Sequence, residues 1–551
     1  MKSTPTRRWD HETILVAQIA ICISVLSFFY YLSRGEILLY GDVFGHINIA
    51  RRIFDSRTPG LLQLGTVWLP LAHLLMLPFV ISDRMWQTGI GGSIPSIFAY
   101  IFAVVGIFRL TKTALSRSME PDAPARRAAW IATAIFAANP NLIYMQATAM
   151  TESLYLAFSI WAVVHFVEFV KFRNTEHSSS ERSLMNCGFC IIASCLTRYD
   201  GWFLAVAISL AVLVVFVRSN SGLRFPRRSL LQFILLAALA PALWLGYNAI
   251  VYRNPLEFAN GPYSAKALAR KDAAAGTAPY PGAGSMPVAS IFFLKSAQLN
   301  LAEGDWGRLW LALAFAGVVS LFIKHRRFWP LLLLWVPLPF YALSITYGGV
   351  PIYLPVWWPH GYYNVRYGLE LLPAFAVFAA LAVFQLLELT SNRRAQIAII
   401  FISLAAIAAG YAGVWRAQPI CFREALINSH TRTPLEGALG DNLKMLPPNS
   451  TLLMSLGDHV GALQRAGIPL RRTINENDAK PWRKPSDPPD LWGSALANPA
   501  LYADYVVASE GDAVATRANH QQLTSLIVIH TEGEPPITIY STPRARASHK
   551  Q

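Results

Sequence analysis

The stretch TILVAQIAICISVLSFFYYLS, residues 13–33, is followed four residues later by LLYGDVFGHINIARRIFDS, residues 38–56. A helix that crosses a bilayer needs about 20 consecutive apolar residues, and the first stretch has that length. Basic residues precede it and no small-residue cleavage site follows it, so we expect a retained anchor rather than a signal peptide. The second stretch is polar and carries Asp42 near its start. The sequence thus predicts a membrane span that leads into a polar loop.

The composition of the whole chain extends this prediction. Hydrophobic residues make up 54% of the 551 residues and charged residues 14%, whereas soluble domains usually carry about 25% charged residues. Such apolar content excludes a disordered chain. The formal net charge is +15, but the basic residues lie between apolar runs, which is typical of membrane-protein loops and does not favour nucleic-acid binding. We therefore expect a polytopic α-helical membrane protein.

Eleven apolar runs are predicted to span the membrane. They are residues 13–33, 92–111, 128–146, 153–171, 184–198, 202–217, 229–251, 308–323, 328–347, 367–388 and 395–415. With the N-terminus in the cytoplasm, every inner loop is basic, as at Arg326 and Arg327, which follows the positive-inside rule. The odd number of spans then places the C-terminal segment on the other side. We predict an integral protein of a bacterial inner membrane with a periplasmic C-terminal domain.

This topology divides the chain into a transmembrane domain, residues 1–415, and an extracytoplasmic soluble domain, residues 416–551. Two long outer loops are predicted in the first domain, residues 34–91 and 253–307. The apolar run 67–81 is short and contains two prolines and a histidine, so we interpret it as an interfacial helix rather than a span.

The C-terminal segment has a different pattern from the apolar runs before it. Short strand-like stretches alternate there with helical stretches, which predicts a small α/β domain. The strands are predicted at residues 451–456, 505–509, 525–530 and 537–540, and the helices at 434–446 and 459–467.

Residues 43–55 have helical periodicity after Asp42, with His46 one turn further on. One face carries Phe44, Ile47, Ala50 and Phe54, and another carries Asn48, Arg51 and Asp55. This pattern predicts an amphipathic helix that lies on the membrane. Asp is also a favoured N-cap, so a purely structural role for Asp42 is an equal alternative.

Three further polar groups lie at predicted outer membrane boundaries, where charge is costly near hydrocarbon. Glu152 follows the third span in NPNLIYMQATAMTESLYLAF, Arg198 belongs to TRYDGW, and Arg366 precedes the tenth span in YYNVRYGLELLP. Two of them have a structural alternative, since Glu152 suits a helix start and Arg198 can pair with Asp200. The neighbouring aromatic residues, including Tyr367, are interpreted as an interfacial belt.

Two acids and two arginines at one membrane face are more informative together than singly. A transporter would more naturally place acidic groups near the bilayer centre, whereas the predicted spans are nearly free of charge. The pattern suits an enzyme that acts on the exposed head group of a lipid-borne substrate. A lipid-linked saccharide flippase or other transporter is the alternative, and a scaffold protein is a third class.

The order of these motifs resembles the GT-C superfamily of membrane glycosyltransferases, which use polyprenyl-phosphate-linked sugars. The resemblance covers roughly residues 10–390. The layout is similar to that of protein O-mannosyltransferases, the lipid A aminoarabinose transferase and the catalytic subunit of oligosaccharyltransferase. It implies that Asp42, the acid at the start of the first outer loop, is catalytic and that Glu152 in the second outer loop assists.

The resemblance also implies a reaction. A sugar would move from a polyprenyl-phosphate donor to a protein, lipid or glycan acceptor at the extracytoplasmic face, with inversion and with Asp42 as the general base. Cations would stabilise the departing phosphate. The residues expected to bind substrate are His46, Arg198, Arg253, Lys295, Tyr363 and Arg366.

No cofactor and no metal are expected for this reaction. Members of the superfamily with paired acids are metal-dependent, whereas here Val43 follows Asp42 and Glu152 is not part of an Asp-Asn-Glu run. No other group of residues has convincing ligand spacing. The expected partners are the lipid-linked donor, an acceptor and membrane lipids, without nucleic acid.

Overall fold

The structure is a computed structural model that describes residues 10–116, 122–173, 177–218, 227–457, 459–479 and 486–548. The chain forms two compact units. The first contains Met1–Arg34, Pro95–Gly246 and Phe258–Glu424, and the second contains Gly35–Ile94, Tyr247–Glu257 and Ala425–Gln551.

Most of the described residues are helical. The α-helices before residue 260 are α1 (His11–Ser33), α2 (Gly41–Arg52), α3 (Leu71–Val80), α4 (Asp83–Thr88), α5 (Ile90–Leu115), α6 (Ala123–Ala137), α7 (Pro140–Gln146), α8 (Glu152–Phe172), α9 (His177–Cys195), α10 (Asp200–Val217), α11 (Arg227–Val251) and α12 (Glu257–Asn260). Those after it are α13 (Ala265–Ala274), α14 (Met286–Leu301), α15 (Gly304–Ile323), α16 (Pro337–Tyr347), α17 (Leu372–Glu388), α18 (Arg393–Ala417), α19 (Ile420–Ser429), α20 (Arg432–Lys444), α21 (Val460–Ala466), α22 (Leu491–Ala497), α23 (Pro499–Tyr502), α24 (Ala513–Arg517) and α25 (Pro543–Ser548). The 3₁₀ helices are Glu36–Leu38, Leu61–Leu64, Arg326–Trp335, Val365–Leu371, Leu470–Arg472 and Glu476–Asp478.

Within the described residues, nine helical segments are long and apolar enough to cross a membrane. They are His11–Ser33, Ile90–Leu115, Glu152–Phe172, Asp200–Val217, Arg227–Val251, Gly304–Ile323, Arg326–Tyr347, Val365–Glu388 and Arg393–Ser429. Each coincides with one of the eleven predicted spans, so the polytopic helical architecture is confirmed.

The other two predicted spans are helical but are not continuous apolar helices. The span predicted at 128–146 is divided into α6 and α7, because the side chain of Asn139 accepts hydrogen bonds from the backbone N–H groups of Asn141 and Leu142 and starts a new helix with Pro140. The span predicted at 184–198 corresponds to α9, whose first turns are rich in serine and charged residues.

The core of the first unit is built around α8 and α17. In the apolar part of Val365–Glu388, the segment that ends with α17, 89% of the residues are buried inside the protein. The corresponding fraction in α1 is 22%. Helix α17 packs against α6 and α15, and Gly317 of α15 allows close approach, since a Cβ there would lie 2.0 Å from the carbonyl oxygen of Phe378. Helix α1 therefore lies at the periphery of the unit, where its apolar side chains can face lipid.

The loop predicted at residues 253–307 contains three helices, and α14 is partly buried. Ser296 Oγ and Asn300 Nδ2 donate hydrogen bonds to the carbonyl oxygen of Val365 at 2.7 and 2.6 Å. Gly368 lies so close to α14 that a Cβ would be 2.5 Å from the backbone of Ser296 and Ala297. Helix α14 is therefore part of the packed core, whereas α12 and α13 contain no buried residues.

The second unit contains a five-stranded sheet. Its strands are β1 (Leu452–Met454), β2 (Thr473–Ile474), β3 (Tyr505–Ser509), β4 (Thr524–Ile529) and β5 (Ile537–Ser541), in the spatial order β2-β1-β3-β5-β4. The pairs β1–β2 and β1–β3 are parallel, and β5 is antiparallel to β3 and β4. The predicted small α/β domain is confirmed, with the two-residue strand β2 added to the four strands predicted.

Helix α2 belongs to the second unit and packs against α3. Its predicted polar face is not solvated, because Asn48, Arg51 and Asp55 are only 3%, 3% and 1% exposed. On the predicted apolar face, only Phe54 is exposed. The prediction of a helix that lies on the membrane with a wet polar face is therefore wrong, and the physical reason is that protein groups bind both faces.

Candidate functional site

Asp42 lies in the first turn of α2 and is half-buried. The N-cap of this helix is Tyr40, and no side chain caps it. The alternative in which Asp42 is the N-cap is therefore wrong, although a carboxylate in the first turn is still favoured by the helix dipole. Asp42 therefore lies in the first turn of α2 without being the residue that caps it.

His46 follows Asp42 by one turn and forms a buried pair with His73 of α3. Its Nδ1 lies 3.0 Å from Nε2 of His73, and the two side chains are 3% and 0% exposed. Trp68 packs on the His46 ring, with ring centroids 4.5 Å apart. The pKa of His73 is lowered well below its ordinary value, mainly by burial, with smaller contributions from His46 and Arg52. His73 therefore stays neutral at neutral pH.

Segments distant in sequence hold the opposite face of α2 within the second unit. Asn48 Nδ2 donates to Gln464 Oε1 of α21 at 2.6 Å, and Trp86 Nε1 donates to Asn48 Oδ1 at 2.9 Å. Gln464 Nε2 in turn donates to the carbonyl oxygen of Trp86 at 2.8 Å. This closed set of three buried polar side chains fixes the rotation of α2 about its axis.

A second set of contacts fixes the C-terminal end of α2. Arg51 forms ion pairs with Asp55 at 2.8 Å and with Asp83 at 2.5 Å. Asp55 also accepts hydrogen bonds from the backbone N–H groups of Leu470 and Arg471 and from the guanidinium of Arg471. Sequence reasoning took Asp55 as a residue of the solvated face, whereas it is a buried acceptor for the C-terminal segment.

Glu152, Arg198 and Arg366 meet in the first unit, as the sequence motifs suggested. Glu152 Oε1 lies 3.3 Å from both Arg198 Nη1 and Arg366 Nε, and Arg366 Nη1 lies 2.9 Å from Glu424 Oε1. Arg198 Nη2 also donates to the hydroxyl of Tyr341 at 2.6 Å. The Glu152 and Glu424 side chains are fully buried. We call this set, together with Asp200 and Glu370, the charge cluster.

Asp200 and Glu370 make the charge cluster acidic. Arg198 Nε lies 3.6 Å from Asp200 Oδ2 and 3.4 Å from Glu370 Oε1. The cluster contains four carboxylates and two guanidinium groups. Its members lie near the starts of α8 and α10, in the Val365–Leu371 3₁₀ helix and in the middle of α19.

Sequence reasoning missed Glu370, Glu424 and Tyr341, and it gave Tyr367 a different role. Glu370 lies four residues after Arg366 inside the quoted motif, and this spacing was a usable signal. Glu424 lies 58 residues from Arg366 and gave none. Tyr367 was interpreted as part of an aromatic belt, but its ring lies 5.0 Å from the guanidinium carbon of Arg198 and 5.1 Å from that of Arg366.

The remaining predicted substrate-binding residues have other contacts. Lys295 Nζ donates to Gln298 Oε1 at 3.0 Å and lies 5.6 Å from the ring centre of Trp357. Burial, followed by the charge of Arg308, lowers the pKa of Lys295. Tyr363 pairs with Tyr353 in an isolated β-bridge.

Arg253 is exposed and has a positive φ of 58°. It lies in the Tyr247–Glu257 segment of the second unit. Its long side chain thus extends from a turn after α11 rather than from a helix. Among the described residues, no group of three or more His, Cys, Asp or Glu side chains could hold a metal ion.

The whole fold was compared with known proteins. No family model and no curated protein matches the chain. ArnT from Cupriavidus metallidurans bound to undecaprenyl phosphate is similar in structure, with a TM-score of 0.59 and 12% sequence identity over 96% of this chain and 98% of ArnT. The apo state of ArnT gives a TM-score of 0.54 at 12% identity, over 95% and 97% of the two chains. The chain therefore has an ArnT-like, GT-C-like membrane fold over 96% of its length.

Proposed function

We propose that this protein is an inverting glycosyltransferase that moves a sugar from a polyprenyl-phosphate-linked donor to an acceptor at the extracytoplasmic face of a bacterial inner membrane. The observation that carries this proposal is the shared fold, which extends over almost the full length of a protein solved with undecaprenyl phosphate. The half-buried Asp42 at the start of α2 supports it. The N-terminus would be cytoplasmic and the C-terminal unit periplasmic.

In the proposed reaction, Asp42 accepts the proton of the acceptor hydroxyl as that oxygen attacks the anomeric carbon. The bond from this carbon to the phosphate oxygen breaks, and polyprenyl phosphate leaves with the electron pair. Attack from the side opposite the phosphate inverts the anomeric configuration. A carboxylate contributes about 10²- to 10⁴-fold as such a base when it lies within hydrogen-bond reach of the acceptor.

We propose that Arg366 binds the donor phosphate, with Arg198, Lys295 and Arg253 as further candidates. The ion pairs of Arg366 with Glu424 and Glu152 restrict its guanidinium, and a restricted guanidinium recognises an anion with little loss of side-chain entropy. Glu152, which bridges the two arginines, and Tyr363 are proposed contacts for sugar or acceptor hydroxyls. The reaction as proposed needs no metal.

The test is turnover by purified protein with a panel of radiolabelled polyprenyl-phosphate sugars. We expect wild type to release polyprenyl phosphate and Asp42→Asn to lose at least about 100-fold in rate, with unchanged thermal unfolding. Asp305→Asn is the matched control, because the Asp305 side chain is 93% exposed. Equal turnover by Asp42→Asn would discard Asp42 as the base, and folded wild type that turns over no donor would favour the transporter alternative.

A further inference from the structure

Arg52, the last residue of α2, carries a guanidinium that is only partly paired. Its side chain is half-buried, and it forms an ion pair with no Asp or Glu of the described residues. Nε donates to the carbonyl oxygen of Gln63 at 2.6 Å, and this is the one hydrogen bond of the Arg52 side chain to the described part of the chain. Charged side chains taken out of water are usually paired, because desolvation is costly. The donors on Nη1 and Nη2 therefore call for a partner.

The contact at Nε holds the guanidinium in place. Gln63 is only 1% exposed, and its Nε2 donates to the hydroxyl of Thr58 at 2.8 Å and to the carbonyl oxygen of Asn477 at 3.3 Å. The acceptor of Arg52 thus belongs to a segment that is itself fixed. A guanidinium held at Nε still presents Nη1 and Nη2 as a planar fork, which matches two oxygens of a carboxylate or phosphate.

The two acidic residues whose charges act on Arg52 are held by other donors. Glu476 contributes most, but its two carboxylate oxygens accept hydrogen bonds from the backbone N–H of Leu456 at 3.2 and 2.9 Å. Asp478 contributes less and accepts a hydrogen bond from the hydroxyl of Thr58 at 2.8 Å. Burial lowers the pKa of Arg52 in spite of these two charges. The guanidinium is therefore incompletely neutralised.

A glycine and two tyrosines lie beside the guanidinium. A Cβ at Gly65 would lie 3.3 Å from Nη2 of Arg52, so the missing side chain leaves space next to the fork. The side chains of Tyr247 and Tyr252 also interact electrostatically with Arg52. All of these residues belong to the second unit. A tyrosine hydroxyl can add a hydrogen bond to an anion that a guanidinium already holds.

Arg52 lies on the same helix as Asp42. Ten residues separate them, which corresponds to about 15 Å along the helix axis. Side chains of a helix point towards its N-terminus, so the guanidinium is directed back along α2. It acts on His73, whose ring contacts His46 one turn after Asp42. One extended substrate can therefore reach both the proposed base and the guanidinium.

We propose that Arg52 is a substrate-binding residue whose Nη1 and Nη2 bind an oxyanion of the phosphate class. Arg52 differs in this respect from Arg198 and Arg366, which are already paired with carboxylates. The phosphate of a lipid-linked donor and an anionic group on the acceptor share this chemistry. That the anion belongs to a glycosyl-transfer substrate rests on the proposed function, whereas the binding of an oxyanion by Arg52 does not.

The first experiment measures thermal unfolding of the full-length protein in nanodiscs, in inorganic phosphate and in chloride of equal ionic strength. A ligand that binds only the folded protein raises its Tm, so we expect phosphate to raise the Tm of wild type by several degrees more than that of Arg52→Gln. Arg84→Gln is the matched control, because it removes the same charge from an exposed side chain of the same unit. It should keep the wild-type shift. Equal shifts in wild type and Arg52→Gln would overturn the proposal.

We expect Arg52→Gln to fold, because it removes a charge that forms no ion pair with the described residues. If it does not fold, Arg52→Lys replaces it in the same experiment. Lysine keeps the positive charge but lacks the planar fork, so its phosphate shift should be smaller than that of wild type. A wild-type shift in Arg52→Lys would then overturn the binding by a fork.

The second experiment distinguishes the two sources of the anion by the affinities for undecaprenyl phosphate and undecaprenol. If Arg52 binds the donor phosphate, Arg52→Gln should bind undecaprenyl phosphate at least about tenfold more weakly, as for the loss of a hydrogen bond to a charged group, and undecaprenol equally well. Wild-type undecaprenyl phosphate affinity together with a lost phosphate shift assigns the site to an anionic group of the acceptor.

An equal loss of undecaprenyl phosphate and undecaprenol affinity in Arg52→Gln would contradict an anion-specific role. The outcomes also separate this inference from the proposed function. If folded wild type turns over no donor, the proposed function fails, whereas the phosphate shift still decides whether Arg52 binds an oxyanion.

Discussion

At the scale of single residues, the first unit is distinguished by the buried charges of the charge cluster. Removing one partner of a buried ion pair leaves an uncompensated charge and costs about 3 to 5 kcal/mol. Arg366 and Glu424 form such a pair, with side chains 7% and 0% exposed. Glu424 is not among the residues proposed to bind substrate, so removing its charge gives a way to separate the structural role of Arg366 from phosphate binding.

We predict that Arg366→Gln lowers the free energy of unfolding by about 3 to 5 kcal/mol, measured by chemical denaturation in detergent. Adding Glu424→Gln should restore much of this stability, because no unpaired carboxylate is then left at that position. If Arg366 binds phosphate, the single and double variants should both bind undecaprenyl phosphate weakly.

Arg308→Gln is the control for this prediction, because its ion pair with Asp305 joins two largely exposed side chains and such pairs contribute little. A double variant as unstable as Arg366→Gln would show that the instability does not come from Glu424. Wild-type undecaprenyl phosphate affinity in the stable double variant would exclude Arg366 as the phosphate ligand.

At the scale of elements, α2 shows why an amphipathic pattern has two interpretations. Alternating apolar and polar faces predict a surface helix, but the same polar face can be buried if other segments provide hydrogen-bond partners. Here Gln464 of α21 and Trp86 of α4 satisfy Asn48. The orientation of the helix that carries Asp42 and His46 thus depends on a residue more than 400 positions away.

We predict that Gln464→Ala destabilises the protein by about 1 to 3 kcal/mol, the cost of leaving buried polar groups of Asn48 and Trp86 without partners. Turnover should fall as well, because α2 loses a contact that fixes its rotation. Thermal unfolding and the rate of polyprenyl phosphate release measure the two effects.

The matched control is Gln521→Ala, whose side chain is exposed in the same unit. It should change neither quantity. A Gln464→Ala variant with wild-type stability would contradict the buried network. A variant that is unstable but retains wild-type turnover would contradict the role of Gln464 in placing the helix that carries Asp42.

At the scale of the whole molecule, the C-terminal segment is more than an appended domain. Contacts group Ala425–Gln551 with Gly35–Ile94, the segment that carries Asp42. Besides Gln464, the links include Arg57 Nη2 to Thr451 Oγ1 at 2.7 Å and Thr58 Oγ1 to Asp478 Oδ1 at 2.8 Å. The sheet and its helices therefore act as a structural support for the Gly35–Ile94 segment.

We predict that removing residues 430–551 abolishes turnover and makes residues 35–94 sensitive to protease, because Asn48, Asp55 and Arg57 lose their partners. The first unit, which ends at Glu424, retains its own core, so the truncated chain should still insert into membranes. Membrane fractionation and mass spectrometry of limited digests test both statements. An unchanged digestion pattern between residues 35 and 94 would contradict the supporting role.

The sequence by itself determined the features that depend on short stretches of chain. Apolar length predicted the nine helical segments of the described residues that are long and apolar enough to cross a membrane, and strand periodicity predicted β1, β3, β4 and β5. Motif order brought Glu152, Arg198 and Arg366 together, and Glu152 does lie 3.3 Å from both arginines, while their role in a site stays a prediction. These succeed because hydrophobic length and charge density are local properties of the chain.

Only the tertiary structure decided which polar groups meet. The pairing of Asn48 with Gln464 spans 416 residues, that of Arg366 with Glu424 spans 58, and that of His46 with His73 spans 27. No local pattern encodes such pairs, because a buried polar group accepts any partner that packing brings within about 3 Å. The physical cause is that hydrogen-bond satisfaction in the interior is a property of the packed molecule, while apolar periodicity belongs to the chain.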